Sequence, residues 1–129
     1  MINPDDLMRG NWVLDPKGNP IKVLDIVRCF VDGVGFYDGL NDEINSETCS
    51  PIPLTTELME QMGWLLSENV VIYAYEKQHP NRCLIFYNDG KIAFAGGRAG
   101  QASETFIQYL HELQNLYRWT VGKPLQINL

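Results

Sequence analysis

The chain has 129 residues, 45% of them apolar and 20% charged, and carries a net charge of −6 from 10 Lys and Arg against 16 Asp and Glu. That length suits one domain, residues 1–129, able to bury roughly two-thirds of the surface it exposes when unfolded. The acidic balance argues against a general nucleic-acid binder and against docking on anionic lipid, and the longest apolar run, Val70 to Tyr75, falls far short of the roughly 20 residues of a membrane span.

In chain order, Asn3-Pro4-Asp5-Asp6 reads as the start of a short helix, with a capping Asn, Pro at the first helical position and acidic residues at the positive end of the dipole. Gly10 stops it. Asn11 to Leu14 predicts a strand, Asp15-Pro16-Lys17-Gly18 a type I turn, and Ile21 to Ile26 a second, alternating strand, so residues 11–28 form a hairpin. Cys29 to Tyr37 continues as a short hairpin through the Asp32-Gly33 turn. This beginning resembles a small, strongly curved sheet of the SH3-like kind.

Asp38 to Ser50 is polar and reads as a loop, and Ser50-Pro51-Ile52-Pro53 as extended chain, because each proline restricts the residue before it. Thr55 or Thr56 caps a helix over Glu57 to Met62, with Leu58, Met59 and Met62 inside and Gly63 at the left-handed position that ends it. Three strands follow as an antiparallel meander: Val70 to Glu76, Arg82 to Tyr87, and Lys91 to Ala95 after the tight turn Asn88-Asp89-Gly90.

Ser103 then predicts the cap of one long C-terminal helix, Glu104 to about Val121, closed by Gly122. At 100° per residue, Phe106, Tyr109, Leu110, Leu113, Leu116, Tyr117 and Thr120 share one wide face. Gln108, His111, Glu112, Asn115 and Arg118 lie opposite, and two apolar residues, Ile107 and Trp119, fall toward this polar arc. Leu125 to Leu129 predicts a final edge strand. The fold class is therefore α+β: an antiparallel curved sheet, SH3-like at its start and a three-stranded meander after, with one long amphipathic helix.

Three segments together resemble a known family: Asp6-Leu7-Met8-Arg9-Gly10-Asn11-Trp12-Val13; Ser50-Pro51-Ile52-Pro53-Leu54-Thr55, followed by Leu58 and Gly63-Trp64; and Tyr109-Leu110-His111-Glu112-Leu113-Gln114-Asn115-Leu116-Tyr117. The chain is similar to small uncharacterised proteins of Bacteroidetes genomes, their phages and integrated mobile elements. It departs from them at the helix exit, Trp119 to Pro124, where the family has an acidic segment. The resemblance implies a source and a shared fold, and no activity.

The chemistry-bearing residues are few. Gly96, Gly97, Arg98 and Gly100 precede the helix start at Ser103, where open backbone N–H groups favour an anion and Arg98 can clamp a phosphate or carboxylate. The spacing is neither GxxxxGK[ST] nor GxGxxG, and a plain strand-to-helix loop has the same composition. His79 and His111 are the only histidines; His79 sits in a loop and His111 on the polar helix face, both read as solvated. Cys29 and Cys83 lie in strand patterns as small core residues, and Cys49 before the prolines reads as exposed. No Cys–His pair, metal-ligand spacing or calcium loop emerges, and Asp38, Asp42, Glu43 and Glu47 read as a solvated acidic loop. Three widely spaced cysteines and an N-terminus without a signal core point to a reducing cytoplasm.

No catalytic residue, metal or cofactor is expected. The leading expectation is a non-enzymatic protein-binding or accessory protein, contacting a protein partner or a second copy of itself through Ile107 and Trp119. The alternative is a small-anion or nucleotide-binding protein, which could include an enzyme, using Gly96, Gly97, Arg98, Gly100 and Ser103. Neither nucleic acid nor a membrane is expected as a partner.

Overall fold

The architecture is α+β, seen in a computed structural model that describes residues 7–23, 25–29, 33–37, 43–45, 49–95, 105–127 and 129. The chain divides into two compact units: Met1–Pro53 with Tyr109–Asn115, and Leu54–Gln108 with Leu116–Leu129. The expected helix at Asn3 to Asp6 and the Gly96 to Gly100 loop with Ser103 lie outside the described residues.

In the first unit, β1 (Trp12–Leu14) pairs antiparallel with β2 (Pro20–Lys22). The turn between them follows from Asp15, whose carboxylate accepts from the N–H groups of Lys17 and Asn19, and from Gly18 at φ +85°. Leu14 also exchanges backbone hydrogen bonds with Ser50, of 2.8 and 3.0 Å. Next, β3 (Asp25–Cys29), β4 (Gly33–Tyr37) and β5 (Glu43–Asn45) form a separate three-stranded antiparallel sheet. Two sequence expectations are corrected by this. The 11–28 hairpin is split, because the second strand ends at Lys22 and Asp25–Cys29 pairs with β4. The polar 38–50 stretch contains a strand, since Glu43, Ile44 and Asn45 pair with Tyr37, Phe36 and Gly35.

Leu7, Val13, Val23 and Cys49 form an apolar cluster with Ile21 against it. Cys49, expected to be exposed, is 1% exposed and belongs to this core. The correction has a simple cause: the antiparallel bridge from Leu14 to Ser50 brings the preceding residue in beside β1.

The second unit carries α1 (Thr56–Gln61). Thr55 caps it, its hydroxyl accepting from Leu58 N–H at 3.1 Å, and Gly63 leaves it at φ +91°. Met59 is fully buried. A five-stranded antiparallel sheet follows: β6 (Leu65–Glu68), β7 (Ile72–Tyr75), β8 (Cys83–Phe86), β9 (Ile92–Ala95) and β10 (Thr105–Ile107), each paired with its neighbour in sequence. Cross-strand partners share a face. One face therefore aligns Phe94, Leu84, Ala74 and Leu66, and the other Phe106, Ala93, Ile85 and Tyr73. Leu84, Ala74 and Phe94 on the first face and Ala93 and Ile85 on the second are all buried, so the middle strands are apolar on both sides instead of alternating.

The last helix, α2, spans Leu110–Val121. It begins six residues after the expected Glu104, because Thr105–Ile107 pairs with Phe94, Ala93 and Ile92 as a strand. Its start is fixed by Glu112, whose Oε1 accepts from Tyr109 N–H at 3.1 Å, the reciprocal half of a capping box. Gly122 ends it at φ +84°. Residues 125–127 make no strand, which corrects the expected C-terminal edge; Leu125 is instead a buried side chain of the second unit. Among the described residues no helix is long and apolar enough to cross a membrane.

Candidate functional site

The first half of α2 belongs to the first unit, and its polar residues bind backbone. Gln114 Oε1 accepts from Trp12 N–H at 2.8 Å, and Gln114 Nε2 donates to the Gly10 carbonyl at 2.9 Å. Asn11 is buried: its Nδ2 donates to Asn115 Oδ1 at 2.8 Å and its Oδ1 accepts from Met8 N–H at 2.7 Å. His111, expected on a solvated face, is buried with its ring stacked on Tyr109, the centroids 6.0 Å apart and the planes 7° apart. This side of the helix is therefore partly buried, with Gln114 completing backbone hydrogen bonds of Gly10 and Trp12 and Asn115 meeting the Asn11 side chain.

The second half of α2 belongs to the other unit, and turns two different side chains to opposite sides. Tyr117 faces inward and is only 3% exposed, its ring tilted against Phe94 at 6.4 Å. Two residues on, about 200° around the helix, Trp119 points away and is 80% exposed, next to exposed Arg118.

A buried tyrosine needs a partner for its hydroxyl. Tyr117 Oη donates to Glu76 Oε1 at 2.7 Å, and Arg82 Nη1 lies 3.5 Å from Glu76 Oε2 and 3.4 Å from Tyr117 Oη. The Arg82 guanidinium also sits 6.0 Å from the Tyr117 ring centroid. Glu76 and Arg82 flank the turn between β7 and β8, where Glu76 N–H donates to the Arg82 carbonyl, so the hairpin itself sets the two charges opposite each other. Burial, first of all, raises the Tyr117 phenol above its ordinary value near 10; the hydrogen bond to Glu76 and its negative charge act in the same direction, and Arg82 opposes them. Tyr117 is thus a neutral phenol at physiological pH.

This network borders an open cleft of about 270 Å³. Trp64, Glu76, His79, Tyr117, Lys123 and Leu125 are among the residues lining it. Trp64 and Leu125 are buried and give it an apolar wall, while His79 and Lys123 stand at the solvent side.

Of the residues singled out from sequence, Gly96, Gly97, Arg98, Gly100 and Ser103 lie outside the described residues. Ile107 and Trp119 are not alike. Ile107 is 7% exposed in β10, which removes it from any surface; the helical phase that grouped it with Trp119 does not extend into a strand. Phe106, assigned to the buried face by the same extrapolation, is exposed, with Lys91 Nζ 5.8 Å from its ring centroid. The cleft residues Glu76, Tyr117 and Lys123, and Arg82 paired with Glu76 beside them, were not anticipated. Two signals pointed to them: opposite charges flanking a strand-to-strand turn, and a tyrosine on an apolar helix face. Among the described residues no group of three or more His, Cys, Asp or Glu gathers as a metal site. No protein-family model, no curated protein and no solved structure matches the chain.

Proposed function

We propose that the protein is a non-enzymatic binding or accessory protein of a phage or mobile element, acting in the cytoplasm through contact with a protein partner. The observation that carries this reading is Trp119, 80% exposed on the last turns of α2 beside an exposed arginine. Trp and Arg are among the residue types enriched at binding hot spots: the indole covers a wide area with two torsions to freeze, and the guanidinium presents a planar fork of donors. The resemblance suggests the source, and the strand and helix patterning of the sequence suggests the finer architecture that goes with this reading: an SH3-like curl of the first strands, a meander of β7 to β9 and α2 as the long C-terminal helix.

The Tyr117 network supports holding over turnover. Both Glu76 oxygens have bonding partners, and a phenol raised above its ordinary value is a poor base at neutral pH. The test is affinity capture from a Bacteroidetes host lysate with wild type and Trp119→Ala, followed by titration of the purified partner. Loss of the Trp anchor is expected to weaken binding by about thirtyfold. Equal recovery and equal affinity for the variant would overturn the assignment of this surface.

A further inference from the structure

The cleft of the second unit has no part in the Trp119 reading, and its chemistry is specific enough to name a ligand class. The geometry points to a binding site for a small organic anion, one with an anionic head and an apolar, planar body.

Size comes first. At about 270 Å³ the cleft falls just under the roughly 300–1,000 Å³ of pockets for drug-sized molecules, so its ligand is metabolite-sized. The wall comes next. Trp64 and Leu125 are buried side chains that line it, so an apolar or aromatic body entering there covers carbon surface and displaces water.

Charge then decides the head group. The one carboxylate in the lining, Glu76, is matched by Arg82 at 3.5 Å and accepts from the Tyr117 hydroxyl, so its charge is offset inside the network. Lys123 lines the same cleft and has no carboxylate partner among the described residues. His79 adds a ring N–H donor on the same side. A cleft whose single anion is neutralised and whose cation is not attracts an anion; the −6 charge of the whole chain acts only weakly against this, since screening limits its reach to about 8 Å at physiological salt.

Tyr117 keeps this arrangement stable across physiological pH. Its neutral phenol holds Glu76 in place and adds no charge that would repel the ligand. The apolar wall and the cation act together: a carboxylate alone gains little from a surface lysine in water, and a flat apolar body alone has no orientation.

The test uses the whole chain and three one-ring probes of similar shape: phenylacetate, phenyl phosphate and benzylamine, with benzyl alcohol as the neutral control. Binding is followed by Trp fluorescence and by NMR amide shifts. The two anions are expected to bind, with shifts centred on residues 62–64 and 123–126, and the cation and neutral probe to bind at least about tenfold more weakly. Phenylacetate above phenyl phosphate assigns the head as a carboxylate, and the reverse order as a phosphate ester; both support the site. Lys123→Gln, an exposed change that leaves the core alone, is expected to weaken anion binding about tenfold. Benzylamine binding as tightly as phenylacetate, no binding by either anion, shifts centred elsewhere, or unchanged affinity in Lys123→Gln would each overturn the proposal. Trp119→Ala is expected to leave this binding intact, which separates its failure from failure of the protein-contact reading.

Discussion

Replacing Gln114 by Met tests whether the amide contacts of the first half of α2 are structural. Met keeps the length, volume and helix propensity of Gln and removes both polar atoms. The structure assigns those atoms two jobs: Oε1 accepts from Trp12 N–H at 2.8 Å and Nε2 donates to the Gly10 carbonyl at 2.9 Å. Each hydrogen bond nets about 0.5–1.5 kcal/mol, so losing both costs about 1–3 kcal/mol, toward the upper end if the strand-edge groups are left unpaired.

The sharpest assay is amide exchange at Trp12, because that N–H is the one Gln114 holds. Its protection is expected to fall roughly 5- to 150-fold, the same free energy expressed as an opening equilibrium. Gln114→Glu separates the two bonds. Its carboxylate still accepts from Trp12 but faces the Gly10 carbonyl with no proton to donate, so Trp12 protection survives while the urea midpoint drops. Lowering the pH protonates the new carboxyl and recovers part of that loss. If Gln114→Met left Trp12 exchange within about twofold of wild type, the two bonds would contribute nothing measurable and the account of this helix half would be wrong.

Met59→Ala, at a fully buried position in α1, is expected to cost about 2–5 kcal/mol, read as a lower urea midpoint. Gly63→Ala is expected to cost about 1–2 kcal/mol, although a Cβ there would meet nothing within 4 Å, because the whole penalty comes from φ +91°; Gly63→Asn loses less. Tyr117→Phe is expected to change the alkaline limb of the stability profile. The phenol is raised in the folded protein, so its contribution is fully present below pH 10 and is lost as pH rises through the folded value above that. Wild type therefore loses stability above pH 10 faster than Tyr117→Phe, and parallel curves from pH 7 upward would contradict the network.

Local chemistry made several elements legible from sequence. Asp15 and Gly18 mark the β1–β2 turn, Thr55 and Gly63 bracket α1, and Asn88-Asp89-Gly90 closes β8 onto β9, each through hydrogen bonds or a positive φ that involve only near neighbours. What was hidden depends on partners far along the chain. Thr105–Ile107 fits a helical phase as well as a strand, and only pairing with Ile92–Phe94 decides between them. His111 and Asn115 read as solvent-facing, yet His111 is buried and Asn115, with its neighbour Gln114, meets Gly10, Asn11 and Trp12, about a hundred residues earlier. The candidate site was illegible for the same reason. Glu76 and Arg82 were visible only as charges near a turn, and the Tyr117 hydroxyl that joins them comes from 41 and 35 residues away.

These long-range amide contacts join two stretches that lie about a hundred residues apart in the sequence. The Gly10-Asn11-Trp12 stretch and the Gln114-Asn115 pair are one hydrogen-bonded unit, in which the helix supplies donors and acceptors that a strand edge otherwise lacks. Losing the side chain of Asn11, Gln114 or Asn115 leaves a part-buried polar group without its partner, which costs more than the bond itself was worth. Trp119 stands outside that constraint. It is 80% exposed, and among the described residues no ring or cation contact engages its indole. On the proposed reading, Trp119→Ala is expected to weaken partner binding while leaving the urea midpoint near that of wild type, because an indole 80% exposed contributes little to the packing of the fold.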